Sequence, residues 1–416
     1  MIAVVGVMVF PAVSFGQFDQ PLPSQEEVKQ MREAIAARDW DKAVELVEAN
    51  PNFVHKSAMG DNNTRTLLLQ ASLLGGTELV KVLIKYNVDV MQVDPVAFTA
   101  LHLAAVKGHI DTVKVLVEAG AQIDALNKWG HTPVLDAAMS GKVEIVKYLI
   151  SKGANILRLD GIGENAIYIA SVKGHSQMIK FLLTQGLTTG QPIIDAVLSD
   201  DSDRVTRILA ANPRVLKMAD KIKTYTALHW AAYMGNAKIA DMLLDGGAQV
   251  DVRDKEFSTP LHIALKTLHE DVAMLLIGRG AGIDAVDKGG QTALFVAISG
   301  NLKDMIMLLI AGGSDLKIRD VNGSSLLHLA VVKQNLDLVK LFLLKGLPIN
   351  GRDAKKMTPL MYAAGTGNIE IAKKLIENGA DVNAVGDKGA TALKMAQKHG
   401  KKEMMEFLLK NGAKIE

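Results

Sequence analysis

The sequence contains no cysteine, and that absence removes disulfides, thiolate metal sites, cysteine nucleophiles and a lipidated N-terminal cysteine together. It also agrees with passage through an oxidising compartment. Aromatic residues are only 5% of the 416 positions, with three tryptophans. That composition suits thin layers of Ala, Leu, Ile and Val better than one thick core. Charge of neither sign is in excess: 47 basic and 45 acidic residues leave +2, interspersed as on an ordinary solvated surface. Nucleic acid and phospholipid surfaces therefore have no electrostatic footprint here. Walker, GxSxG and HExxH motifs are all missing, and no apolar run reaches the roughly 20 residues of a membrane helix.

What is present is one stretch written many times. In TALHLAAVKGHIDTVKVLVEAGAQIDALN, Thr99 to Asn127, Thr99 is a good helix N-cap, since its hydroxyl accepts from a free first-turn amide. Proline follows the threonine in Thr132-Pro133, Thr259-Pro260 and Thr358-Pro359, where its missing N–H has no partner to lose. A first helix runs through the small Ala104 and Ala105 and stops at Gly108. A second, with Val113, Leu116 and Val117 at helical spacing, ends at Gly120, where a left-handed residue closes it without a Cβ clash. A polar loop through Asp124 and Asn127 follows.

The opening position recurs at Thr66, Thr99, Thr132 and Asn165, then at Thr226, Thr259, Thr292, Ser325, Thr358 and Thr391, in steps of 33. The helix-ending position recurs with the same step at Asn87, Gly120, Gly153 and Gly186, then from Gly247 to Gly412. Asparagine, at the one departure, is the next most tolerant residue of the left-handed region. TALHLAAVKGH, TALHWAAYMGN, TPLHIAL, SLLHLAV, TPLMYAAGTGN and the tail GADVNA resemble the ankyrin repeat family in period, opening and ending. The resemblance implies an all-α solenoid of stacked helix-turn-helix units with projecting β-turn loops, whose usual work is binding other proteins.

Met1 to Gly16, MIAVVGVMVFPAVSFG, reads as the apolar core of a secretory signal peptide, with cleavage before Gln17 or before Phe15. The basic stretch that ordinarily precedes such a core is not in the sequence, so a start further upstream belongs to the same expectation. A short anchor, or an apolar tail docked on the first repeat, is the competing reading. From Glu26 the helical period begins without the threonine motif. Met31, Ile35, Ala43, Leu46 and Val47 are expected inside, and Arg32, Arg38, Asp39, Asp41 and Glu45 outside, as a solenoid's uncovered end requires.

The register breaks between Gly186 and Gly247, which are 61 positions apart. Within the break, Asp195 to Pro213 aligns without gaps on Glu33 to Pro51, sharing Ala34/Ala196, Asp39/Asp201, Asp41/Asp203 and the Ala-Asn-Pro ending. The expected organisation is a signal peptide over 1–16, a linker over 17–24, a first array with its cap over 25–187, and a second array over 188–416. The second array is opened by a cap-like unit and closed by a polar cap bearing Lys398, Lys401, Lys402, Glu406 and Lys410. A continuous stack with a local kink is favoured over two separated domains.

Ten histidines invite a metal or acid–base reading. His102, His229, His262 and His328 hold the fourth place of the opening motif, where the resemblance implies a bond to turn backbone. His109, His175 and His269 share a second fixed place. Seven of them thus have scaffold roles and lie a repeat or more apart, so no metal site is expected. Gly75-Gly76, Gly246-Gly247, Gly289-Gly290 and Gly312-Gly313 fall at turns or helix ends with no GKS or GKT after them. Asp200, Asp201 and Asp203 lack the ligand spacing of a calcium loop. No catalytic residue and no cofactor is expected.

The resemblance implies one binding surface made of loop tips and the exposed side of each first helix. Its positions include Phe98, Lys128, Trp129, His131, Met139 and Ile162 in the first array. In the second they include Tyr225, Tyr233, Met234, Lys255, Glu256, Phe257, Lys355 and Lys356. Trp129, Tyr225 and Tyr233 are the leading anchors, because tryptophan and tyrosine carry much interface energy. Packing of Trp129 and Tyr225 on the next loop is the alternative. The expected protein is an exported, monomeric, non-catalytic scaffold that binds another protein, without nucleic acid and without stable membrane insertion once the signal is cleaved. It would act in the periplasm or outside the cell, or in the cytoplasm if the N-terminal segment is not a signal. A second function class is a small-molecule or catalytic pocket at the kink, near Asp195, Asp200 and Lys221.

Overall fold

The computed structural model describes residues 21–55, 65–220 and 223–415. The apolar segment 1–16, the first half of the linker and Lys221 lie outside the described residues. Among those described, the chain is all-helical, with 24 α-helices and three short 3-10 helices. Two isolated bridges, Val93 with Thr99 and Ala219 with Thr226, stand in for strands.

Each expected opening residue is an N-cap, from Thr66 to Thr391. Neither Thr66 nor Thr292 makes a side-chain cap bond, and the Thr66 hydroxyl is buried without a hydrogen-bond partner. First helices are short, as Ala100–Lys107 and Pro133–Met139 show, and second helices such as Ile110–Glu118 and Val143–Ser151 have nine residues. The second helices of the ten repeats after the openers all close on a left-handed residue, φ being 58° at Asn87 and 85° at Gly120. Helices this short are marginal alone in water, so tertiary packing must hold them.

The chain divides into two compact units, residues 1–189 and 190–416. In the first, the opening pair Gln25–Ala37 and Trp40–Ala49 is followed by four helix pairs; in the second, Pro192–Leu198 and Ser202–Ala211 are followed by six. Within each unit, from repeat to repeat, first helices pack on first helices more extensively than second helices on second helices, the order being reversed only at the N-terminal opener, where Trp40–Ala49 packs on Thr77–Lys85. The alanines make this possible: Ala104, Ala105, Ala137, Ala138, Ala231 and Ala232 are all fully buried, and their small side chains let backbones approach. Val113 and Leu116 are buried as the spacing predicts, but Val117 is only half-buried. Thr112 takes its place, its hydroxyl 2.7 Å from that of Thr77 in the preceding repeat.

The two opening units have the same local structure. Asp39 and Asp201 each cap the second helix, accepting from Lys42 N–H and Arg204 N–H. Asn50 and Asn212 each end it, and each accepts from the amide two residues on as proline starts a 3-10 helix. In the N-terminal opener Met31, Ile35, Ala43, Leu46 and Val47 are buried and the five expected outer residues exposed. A solvated face on the first unit of a stack is what an uncovered end requires.

Glycine at the end of a first helix answers to the next repeat. Gly235 has φ 70°, and a Cβ there would overlap the His269 ring, which is pinned by its Nε2–H donating to Tyr233 O at 3.1 Å. Gly247 has φ 93° with open space around it. Gly247→Ala should therefore cost only left-handed strain, about 1–2 kcal/mol, and Gly235→Ala about 1 kcal/mol more for the clash. In a His269→Ala background, denaturant titration should bring the two costs together; a Gly235→Ala penalty unchanged by His269→Ala would contradict the steric reading.

Candidate protein-binding surface

Seven of the loops are built on one acceptor each. The Oδ1 atoms of Asp94, Asn127 and Asp160 accept from the amides two and four residues on, at 2.7–3.1 Å. Asp254, Asp287, Asp320 and Asp353 do the same in the second unit. This local bond gives the turn an alternative to helix or sheet pairing and fixes which residue stands at the tip. Adjacent tips then join. In the first unit Lys128 N–H donates to Val96 O at 3.0 Å and Gly161 N–H to Trp129 O at 2.9 Å. In the second, Lys288, Val321, Ala354 and Asp387 donate in the same way to Glu256, Gly289, Asn322 and Lys355. The tips of each unit thus form a ribbon with its backbone groups paired.

The four motif histidines tie this ribbon to the helices. His102 Nδ1 lies 3.2 Å from Thr99 N and 2.8 Å from Thr99 Oγ1, while Nε2 lies 3.1 Å from His131 O in the next loop. An amide can only donate, so Nδ1 is the acceptor and Nε2 carries the proton. His229, His262 and His328 repeat the arrangement onto Ser258, Gln291 and Met357 carbonyls. Burial lowers the pKa of all four. His109, His175 and His269 reach the other way, each Nε2 donating to a first-helix carbonyl of the preceding repeat. Among the described residues no group of three or more His, Asp or Glu is placed to hold a metal ion, and no helix is long and apolar enough to cross a membrane.

The expected surface residues fare unequally. Trp129 is 53% exposed at a tip and Ile162 80% at the next; Lys128 is exposed beside them and Phe98 half-buried. Phe98 meets Trp129 edge-on at 5.7 Å. Met139 is half-buried, and its carbonyl is taken by His175. In the second unit Phe257 is 51% exposed, Lys255, Glu256, Lys355 and Lys356 are exposed, and Tyr233 and Met234 are half-buried. Tyr225 is a correction. It is only 7% exposed, stacked on His229 at 5.2 Å and edge-on to Trp230 at 5.3 Å, so it supports the loop from beneath. Asp195 is buried and Asp200 accepts from Asn236 of the following repeat, so each has a structural place.

His131 departs from a simple surface role. Its Nδ1 is 2.8 Å from Asp136 Oδ1 and its Nε2 3.5 Å from Asp160 Oδ2. The hydrogen bond to Asp136 and the two negative charges raise its pKa against the opposing effect of burial. Asp136 is fully buried, its other oxygen accepting from Asn127 Nδ2 at 3.1 Å. Trp230 and Tyr362, four residues into their helices like Asp136, also bond their own loop acceptors, Asp220 and Asp353. These pairs went unread in the sequence. Laying the repeats in register also exposes a row, Val93, Leu126 and Leu159, all exposed, where the second unit mixes Arg253, Arg319 and Arg352 with Val286 and Val385. The tips differ likewise: Val96, Trp129 and Ile162 against Glu256, Gly289, Asn322 and Lys355.

The histidines set opposite pH dependences. The four lowered ones stabilise the fold above about pH 6.5, the ordinary histidine value, and that contribution is lost as pH falls toward their folded values. His131, raised, contributes fully below about pH 6.5 and loses its contribution as pH rises through its folded value. With four against one, the thermal midpoint should fall on acidification from pH 7 to pH 5. His131→Gln should flatten the alkaline side of the profile, and a midpoint rising toward acid pH would contradict the assignment.

Known proteins share these repeats in sequence. The family model "Ankyrin repeats (3 copies)" matches residues 34–127, 193–287, 271–353 and 327–416, and "Ankyrin repeats (many copies)" matches 134–183. The putative ankyrin repeat protein FPV223 of Fowlpox virus (strain NVSL) is 39% identical over 75 residues, 18% of this chain and 50% of that protein. Palmitoyltransferase ZDHHC13 of Mus musculus is 38% identical over 63 residues, 15% of this chain and 10% of that protein. The chain therefore spans half or less of the length of these relatives. The crystal structure of the ankyrin repeat domain of Bcl-3, of the IkappaB protein family, aligns with 52% of this chain and 97% of its own, at 24% identity and a TM-score of 0.46. With family models matched over most of its length, the chain belongs to the ankyrin repeat family.

Proposed function

We propose that this chain is a non-catalytic scaffold that binds another protein through loop tips and first helices, with the apolar tips of the first unit at the centre of contact. Ankyrin repeats are generally protein-interaction modules, which sets the class. The observation that carries the reading is Trp129, more than half exposed on a tip whose backbone is bonded on both sides. Ile162 stands at the next tip, and Lys128 and Phe98 frame the pair. A rigid aromatic anchor beside an aliphatic one, on a preorganised backbone, is the usual composition of an interface hot spot. The partner expected is a protein with a complementary apolar face.

Photo-crosslinkers at positions 129 and 162, introduced in the native cell, should capture the same partner. Crosslinkers at Lys114 and Lys147, exposed on second helices, should not. With that partner purified, Trp129→Ala should weaken binding about 30-fold. Capture from the second-helix positions alone, or an affinity indifferent to Trp129→Ala, would contradict the proposal. The apolar Met1–Gly16 segment carries the companion proposal that the protein acts after export. Intact mass of the protein recovered from outside the cytoplasm should lack the first 14 to 16 residues, whereas an uncleaved mass in the cytosol would remove that claim.

A further inference from the structure

Among the described residues, four lysines lie over aromatic rings. Three of them, Lys85, Lys147 and Lys152, meet a single ring each. Lys223 meets three: its Nζ is 5.0 Å from the centroid of Tyr225, 4.9 Å from Tyr233 and 6.0 Å from Trp230. The rings also touch one another, Trp230 meeting Tyr233 edge-on at 5.6 Å and Tyr225 lying 6.4 Å from Tyr233. Aromatic faces attract cations electrostatically, and several faces turned on one point make a recognition site for an ammonium group.

The walls stand independently of the ammonium. Asp220 Oδ2 accepts from the Trp230 indole N–H at 3.1 Å and from Tyr225 N–H at 3.0 Å, and Oδ1 accepts from Lys223 N–H at 2.6 Å. Thr224 Oγ1 accepts from Lys255 N–H at 2.6 Å, which ties the turn to the next loop. Burial above all, with the nearby carboxylates of Asp254 and Asp220 adding to it, holds the Tyr225 phenol far above its ordinary pKa, and those two carboxylates supply negative charge close to the rings. Withdrawing the lysine stem would open the rings without dismantling the turn. The location also matters: Lys223 stands three residues before its opening threonine, as Trp129 does, and Tyr233 is on the same first-helix side as Met139.

We propose that Tyr225, Trp230 and Tyr233 form a binding site for an alkylammonium group, occupied in the free protein by Lys223, which an incoming cation must displace. Trp230 is buried and Tyr225 nearly so, held by Asp220 and the stacked His229, so the half-buried Tyr233 is the most open wall of the site. A tethered occupant competes at high effective concentration, so the intact protein binds free ammonium ions weakly. A ligand bound elsewhere on the surface gains the site only by trading its own cation for Lys223. The proposal rests on the protein-binding reading only for what carries the cation, since the site is tested with free ions.

The test uses the full chain labelled with 15N-tryptophan, which gives one indole signal for each of the three tryptophans; Trp230 is assigned with Trp230→Phe. Choline and Nα-acetyl-lysine amide are titrated separately, distinguishing a quaternary ammonium from a lysine side chain. Lys223→Ala and Lys223→Gln should both bind at least one of them about ten-fold or more tighter than the intact protein, with a saturable shift of the Trp230 indole. Adding Tyr233→Ala to Lys223→Ala should abolish that shift. No saturable shift in either lysine variant, equal affinity in the intact protein, or binding that survives Tyr233→Ala would each overturn the proposal. None of those results would bear on Trp129 and its partner, whose crosslinks lie in the other unit.

Discussion

A helix of seven to nine residues does not persist alone in water, and nearly every helix of this chain is that short. Each must be completed by the repeats on either side. The completion is chemically specific. A motif histidine donates forward to the next loop, a second histidine donates back to the preceding helix, and a loop-tip amide donates to the preceding tip. Aspartates and asparagines of the tail add a fourth tie: Asp124, Asp251, Asp284, Asn350 and Asn383 each accept from an amide 31 residues on. Alanine layers bring the backbones close enough for these bonds to form.

The same ties release the loop tips from structural duty. Once the backbone of a tip is bonded at both sides, its side chain is free to vary, and it does: Trp129 and Ile162 in one unit, Glu256, Asn322 and Lys355 in the other. Conversely, where a side chain supports the loop, its chemistry narrows. Tyr225 and Trp230 are buried because Asp220 and the stacked His229 hold them, and Asp136 tolerates full burial because Asn127 and His131 both bond to it. Neutral histidines fit the buried positions since a second ring proton would meet an amide that can only donate.

The sequence revealed most of what recurs and little of what occurs once. N-caps from Thr66 to Thr391 and left-handed ends from Asn87 to Gly412 are local, so a 33-residue step exposes them. The likeness of the two opening units was legible for the same reason: Asp39 and Asp201, Asn50 and Asn212, do identical local work. Tyr225, Asp136 and His131 were misjudged or unread because their partners lie five to ten residues away across a loop, or in the next repeat. Nothing within one repeat announces them. Comparing one register position along the array would have revealed the wholly apolar row of Val93, Leu126 and Leu159, since its counterpart in the second unit mixes Arg253, Arg319 and Arg352 with Val286 and Val385.

The most direct measurement is hydrogen exchange at the loop-tip amides. Lys128 and Gly161 in the first unit, and Lys288, Val321 and Ala354 in the second, donate to the preceding tip. If the tips are a bonded ribbon that presents side chains on a rigid backbone, these amides open only with the repeats that hold them. Their protection should then approach that of amides in the adjoining first helices. Exchange at the rate of freely solvated amides, beside protected helices, would mean that the tips are independent loops and would contradict a preorganised binding surface.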